Sequence, residues 1–204
     1  MKYVTGDKLS FDWKIVTITI VSTLLIMVDY YHKLFADKYW DRILLYLMIP
    51  LLITIFLFRE NPKEYGFSFG NWKLGLLFTL IGMLLMAPVI YYLGHGDVAM
   101  RIYYERFLTG LPWTTFLDLF GWEFFFRGWI LFAYTRKFGP DALWLHAVPF
   151  ALAHLGKPEV ETLSTIFGGF VFGWVALRTN SFLYAFLIHW FIGTFIIIVA
   201  AGVI

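Results

Sequence analysis

A chain of 204 residues has the length of one domain. With 60% hydrophobic and 15% charged residues and a mean hydropathy of +0.73, it falls well outside soluble domains, which are about 25% charged. A net charge of +2 is too small to argue for a nucleic-acid partner, and the absence of cysteine excludes a disulfide, a thiolate nucleophile and a Cys-based metal site.

No composition break, low-complexity linker or internal repeat divides the chain, so one integral membrane domain is expected over 1–204. Against the roughly 20 residues that cross a bilayer, seven apolar runs are predicted as helices, at 15–31, 42–58, 74–93, 111–134, 140–155, 161–177 and 181–201. The expected fold is all-α, a polytopic transmembrane helix bundle. The first run follows Lys2, Lys8 and Lys14 but has no Ala-x-Ala-like cleavage site, so it reads as an uncleaved first helix. Breaker signals separate the runs, among them Asn61-Pro62, Gly94-His95-Gly96, Gly139-Pro140, Gly156-Lys157-Pro158 and Thr179-Asn180-Ser181. Residues 98–108, with Arg101, Glu105 and Arg106 amid Ile102, Tyr103, Tyr104 and Phe107, read as an amphipathic helix in the interface. Nine Trp and twelve Tyr suit interfacial anchoring. With the amino terminus inside, the inner segments carry nine Lys or Arg (Lys2, Lys8, Lys14, Arg59, Lys63, Lys73, Arg136, Lys137, Arg178) and the outer ones six (Lys33, Lys38, Arg42, Arg101, Arg106, Lys157), which favours a cytoplasmic amino terminus.

The fourth run is the most informative. Glu123 and Arg127 stand about one helical turn apart in an otherwise uncharged stretch, so they can pair. A charge placed in hydrocarbon costs at least a few kcal/mol and by default marks function, although such a pair also serves as a structural bridge between helices. His154 closes the fifth run, where an imidazole can also act as a polar cap. His189 lies inside the seventh, where it needs a partner. His146, eight residues before His154, is expected to hydrogen-bond within the bundle. Asp118, five residues before Glu123, is turned from the site and is expected to cap or hydrogen-bond. Glu159 and Glu161 suit the first turn of the sixth helix, and Glu161, facing His154 across the turn, is a second-choice acid. Gly168, Gly169 and Gly173 fit close helix packing, and Phe124, Phe125 and Phe126 read as lipid- and core-facing bulk.

Glu123-Phe-Phe-Phe-Arg127-Gly128, then Phe150-x-x-x-His154, then His189 resemble the three ordered motifs of the CPBP family (CAAX protease and bacteriocin-processing, also called Abi) of intramembrane proteases, relatives of the Ras-converting endopeptidase. The resemblance covers roughly 111–200 as a catalytic core. It implies an all-helical membrane bundle, peptide-bond hydrolysis within the bilayer and catalysis by glutamate with histidine. Two positions depart from the pattern: the family's first Glu is here Trp122, and the Asn four residues after the last His is Gly193, with Thr194 or a backbone amide as candidate replacement donors.

Amide hydrolysis needs a base for water, a donor for the oxyanion and an acid for the leaving amine. On that chemistry Glu123 is expected as base, with His154 and His189 orienting water and oxyanion and Arg127 organising the site, whereas by the resemblance Glu123 matches the family's second Glu, which holds the Arg. Burial strengthens Glu123 as a base and the neighbouring guanidinium weakens it, and the sequence leaves that competition open. Two imidazoles and a carboxylate also suit zinc, but the histidines come from different helices without His-Glu-x-x-His spacing, so no cofactor is expected and zinc is the less favoured reading. The expected partners are membrane lipid and a membrane-associated peptide or protein substrate, in a bacterial cell membrane. Two other readings compete: a non-catalytic scaffold, immunity or maturation protein of the same fold, and a small proton-coupled transporter, to which the isolated Asp29 and Thr54 of the first spans contribute little.

Overall fold

The computed structural model describes residues 10–204, and every regular element among them is helical. Lys2 and Lys8, counted in the charge balance, lie outside the described residues. Helix α1 spans Trp13–Tyr31 and is capped by Asp12, whose carboxylate accepts from the N–H groups of Lys14 and Ile15 at 3.0 and 3.3 Å. Helix α2, Lys38–Leu57, opens into π-helical turns on both sides of Pro50, which has no N–H to give and whose ring crowds the preceding turn. Helix α3 is Trp72–Gly94, with the Asn71 side chain accepting from Leu74 N–H at 3.2 Å.

The short α4, Val98–Tyr104, buries Met100 and Tyr104 against Ile90, Ile196 and Ile197 and leaves Val98, Arg101 and Ile102 exposed, the two-faced pattern expected of this stretch. Residues 113–138 form α5 in three stretches: α-helical Trp113–Glu123, π-helical Phe124–Ile130 and α-helical Leu131–Phe138. Helix α6, residues 142–152, breaks at His146 into Ala142–Leu145 and Ala147–Leu152. Helices α7 and α8 are Glu159–Thr179 and Leu183–Ala200.

Five helices, α1, α2, α3, α7 and α8, are long and apolar enough to cross a membrane. The other two expected spans differ in kind. The run at 111–134 is α5, long enough but interrupted by Asp118, Glu123 and Arg127 and enclosed by α1, α2 and α8. The run at 140–155 is α6, with four plus six helical residues; ten residues rise about 15 Å, half of the roughly 30 Å of hydrocarbon. Its apolar sequence is spent on covering α7 and the start of the site rather than on crossing.

The main core surrounds the π-helical segment of α5. Phe124, Phe125, Phe126 and Trp129 have no exposed surface, which corrects the expectation that the three phenylalanines partly face lipid. Tyr46 of α2 stacks on Phe125 with ring centroids 4.5 Å apart, and Phe182 packs on Phe124 at 5.4 Å. Glycine sets the spacing at two contacts. A Cβ at Gly121 would lie 2.8 Å from the Arg42 carbonyl oxygen, so only glycine lets α2 approach α5 this closely. At Gly173 a Cβ would lie 2.4 Å from Cε1 of His146, and at Gly169 2.9 Å from the Ala147 side chain, so both behave as close-packing glycines between α7 and α6. Gly168 meets nothing within 4 Å and has no such role.

Candidate active site

Glu123 ends the first α-helical stretch of α5, and Arg127 follows one turn later where the helix has loosened to π geometry, a feature that recurs at functional sites. Arg127 Nη1 donates to Glu123 Oε1 at 3.1 Å, and both residues are fully buried. The same oxygen receives His189 from α8, whose Nδ1 lies 2.6 Å away. The sequence could place Glu123 beside Arg127; the packing of α8 on α5 brings in His189, sixty-six residues distant.

The rest of the guanidinium is held by aromatic rings. Its carbon lies 3.6 Å from the ring centroid of Phe150 on α6 and 5.2 Å from that of Phe172 on α7. Arg127 Nε and Nη2 and Glu123 Oε2 are buried without a hydrogen-bond partner. Four helices thus enclose one ion pair whose polar capacity is only half used.

His154 sits in the turn after α6. Its Nδ1 lies 2.8 Å from the Phe150 carbonyl oxygen, and the Thr162 hydroxyl donates to the His154 carbonyl oxygen at 3.1 Å, fixing the turn. The ring stands 4.4 Å from Phe150 and 6.3 Å from His189, centroid to centroid, at 26° to the latter. Glu123, Arg127 and His189 are therefore in direct contact, and His154 faces His189 without bonding to the carboxylate.

Trp122 occupies the side of His154. The two rings meet edge to face at 5.4 Å, and the indole, 3% exposed, also packs on Phe126 at 5.0 Å. The Arg42 guanidinium lies 4.3 Å from the same ring, and Arg42 is ion-paired with Asp118. Asp118 is thus turned from the site and bonded elsewhere, as expected.

Several other expectations resolve differently. Glu161 does not serve His154: it is ion-paired with Lys157 at 2.7 Å and accepts from the Tyr104 hydroxyl of α4. Burial, followed by this carboxylate, pushes the Tyr104 phenol up, which keeps it a donor. Thr194 is not a substitute donor at the site, since its hydroxyl lies 2.8 Å from that of Thr115, two turns before Glu123 on α5. Asp29, read as isolated, pairs with Lys38 at 2.7 Å. His146 hydrogen-bonds within its own helix, Nδ1 to the Ala142 carbonyl at 3.0 Å, as expected. Among the described residues no three His, Asp or Glu side chains group as metal ligands.

Sequence reasoning missed two contributors. Phe172 carried no signal, since an apolar residue in an apolar helix is not marked as a cation platform. Arg42 was counted as a loop charge; its position at the start of an apolar run was the available clue.

Membrane-length helices closed around a buried glutamate, arginine and histidine define a polytopic α-helical membrane protein with an enclosed polar centre. Residues 104–195, which hold all of these groups, match the family model described as type II CAAX prenyl endopeptidase Rce1-like, the kind of CAAX-type membrane protease that the sequence motifs resemble. No curated protein and no solved structure matches the chain.

Proposed function

We propose that this chain is an intramembrane endopeptidase that hydrolyses peptide bonds in membrane-associated peptides or proteins. The observation carrying the reading is the contact of Glu123 Oε1 with His189 Nδ1 at 2.6 Å and Arg127 Nη1 at 3.1 Å, within a segment matched to a protease family. An ionised carboxylate only accepts hydrogen bonds, so the proton on His189 sits at Nδ1 and the neutral ring keeps its lone pair at Nε2. His154 follows the same logic, because its Nδ1 faces a carbonyl oxygen. Both rings then keep an unprotonated Nε2 as an acceptor. The base is accordingly assigned to a histidine rather than to Glu123, whose Oε1 is already engaged by Arg127 and His189. Glu123 orients His189 and stabilises the imidazolium formed when His189 takes a proton from water. The hydroxide adds to the scissile carbonyl carbon, the tetrahedral oxyanion is stabilised by N–H donors of Arg127, and the imidazolium returns its proton to the leaving amine.

The test uses the purified full chain in lipid vesicles with a pool of membrane-bound peptides, products being read by mass spectrometry. Glu123→Gln, His154→Ala and His189→Ala are each expected to lower cleavage by about 10²–10⁴-fold, the usual contribution of proton transfer. Undiminished cleavage in all three ends the proposal.

The indole of Trp122 against His154, at the position where the resemblance places the first glutamate, favours a second reading: a bundle of this family that no longer hydrolyses. Wild type inactive on every substrate, with cleavage appearing in Trp122→Glu, supports it; cleavage by the wild type rejects it.

A further inference from the structure

Arg42 comes from α2, outside residues 104–195 that match the family, yet it lies against the site. Three observations place it there. Its guanidinium covers one face of the Trp122 indole at 4.3 Å; it is ion-paired with Asp118, one helical turn before Trp122; and Gly121 lets the Arg42 backbone pack directly on α5, a Cβ there lying 2.8 Å from the Arg42 carbonyl oxygen. The same indole meets the His154 ring edge to face at 5.4 Å, and His154 is left only 2% exposed. Tyr46 of α2 adds a second ring against the indole at 5.6 Å.

We propose that Arg42 is a positioning residue that fixes the Trp122 indole as a shield over His154, so that access to this histidine is set from α2. This rests on the reading of His154 as a site residue. The physical basis is that a planar guanidinium both stacks on indole and bonds a carboxylate, which one ammonium cannot do at once with the same geometry. The Asp118 bond holds the guanidinium, and the guanidinium holds the ring.

The test is histidine labelling with diethyl pyrocarbonate on the full chain in detergent, mapped by mass spectrometry. Exposed His32 and His95 serve as reactive references and fully buried His146 as a packing control. Trp122→Ala and Arg42→Gln are each expected to speed labelling of His154 about tenfold, the size of a desolvated cation–π contact, with the other histidines unchanged. Unchanged His154 labelling in Arg42→Gln overturns the proposal, whether or not Trp122→Ala raises it. If His146 also becomes reactive in Arg42→Gln, Arg42→Lys decides, because it keeps a charge for Asp118 and loses the flat stack: a rise confined to His154 supports the shield, and no rise overturns it. Cleavage measured in parallel bears on the protease reading alone, since labelling does not depend on activity.

Discussion

Arg127 shows how a fully buried charge is tolerated. One N–H donates to Glu123 at 3.1 Å and the face lies on Phe150 at 3.6 Å, so the cation is compensated by a carboxylate and by ring quadrupoles together. Removing one partner of such a pair leaves the other buried and uncompensated. Arg127→Met is therefore expected to lower unfolding free energy by about 3–5 kcal/mol, measured by denaturant titration in detergent. The double variant Glu123→Gln with Arg127→Met should recover part of that loss, because the two residues are coupled. Full additivity of the two single losses would show that the pair is not the source of the effect.

The elements meet through small residues and a few polar tethers. His146 is held by its bond to Ala142 and cannot swing aside, so a methyl at Gly173, 2.4 Å from its Cε1, must part α6 from α7. Gly173→Ala is expected to cost about 1–3 kcal/mol by overpacking, whereas Gly168→Ala, with nothing within 4 Å, should be neutral or slightly stabilising on helix propensity; matched melting temperatures for the two would refute the distinction. The amphipathic α4 is tied to the start of α7 through Tyr104 and Glu161, and Lys157 shares that carboxylate. Tyr104→Phe removes one donor while Glu161 keeps its lysine, so a loss of about 0.5–1.5 kcal/mol is expected, seen as faster hydrogen exchange in α4.

At the level of the whole molecule, the start of α1, the end of α2 and the end of α5 share one ion cluster. Lys14 donates to Glu60 at 2.5 Å, Arg136 lies at 3.3 Å from the same carboxylate, and the Tyr65 hydroxyl also bonds it. Partial burial pushes the Glu60 carboxyl up, but Lys14, Tyr65 and Arg136 together outweigh it and hold it below the usual carboxylate range. A carboxyl lowered on folding adds stability that is complete above its unfolded value, about 4.3, and disappears as pH falls through the lower folded value. The melting temperature should thus stay level from neutral pH to about 5 and fall below about 4, with a smaller fall in Glu60→Gln. An equal fall in both would place the acid sensitivity elsewhere.

Composition and run length alone determined that this chain is an all-α membrane bundle, since the cost of bare backbone in hydrocarbon leaves helices as the means for apolar runs of this size to span it. Spacing within one helix also made the Glu123 and Arg127 pair legible, because residues four apart share a face. The tertiary structure decided what lies between helices. It gave His189 to Glu123, gave Glu161 to Tyr104 and Lys157, gave Thr194 to Thr115, and turned Arg42 from a topological charge into the backing of Trp122. It also reduced the fifth apolar run to a short broken helix, since an apolar sequence records that a segment is dry and not whether lipid or protein keeps it so.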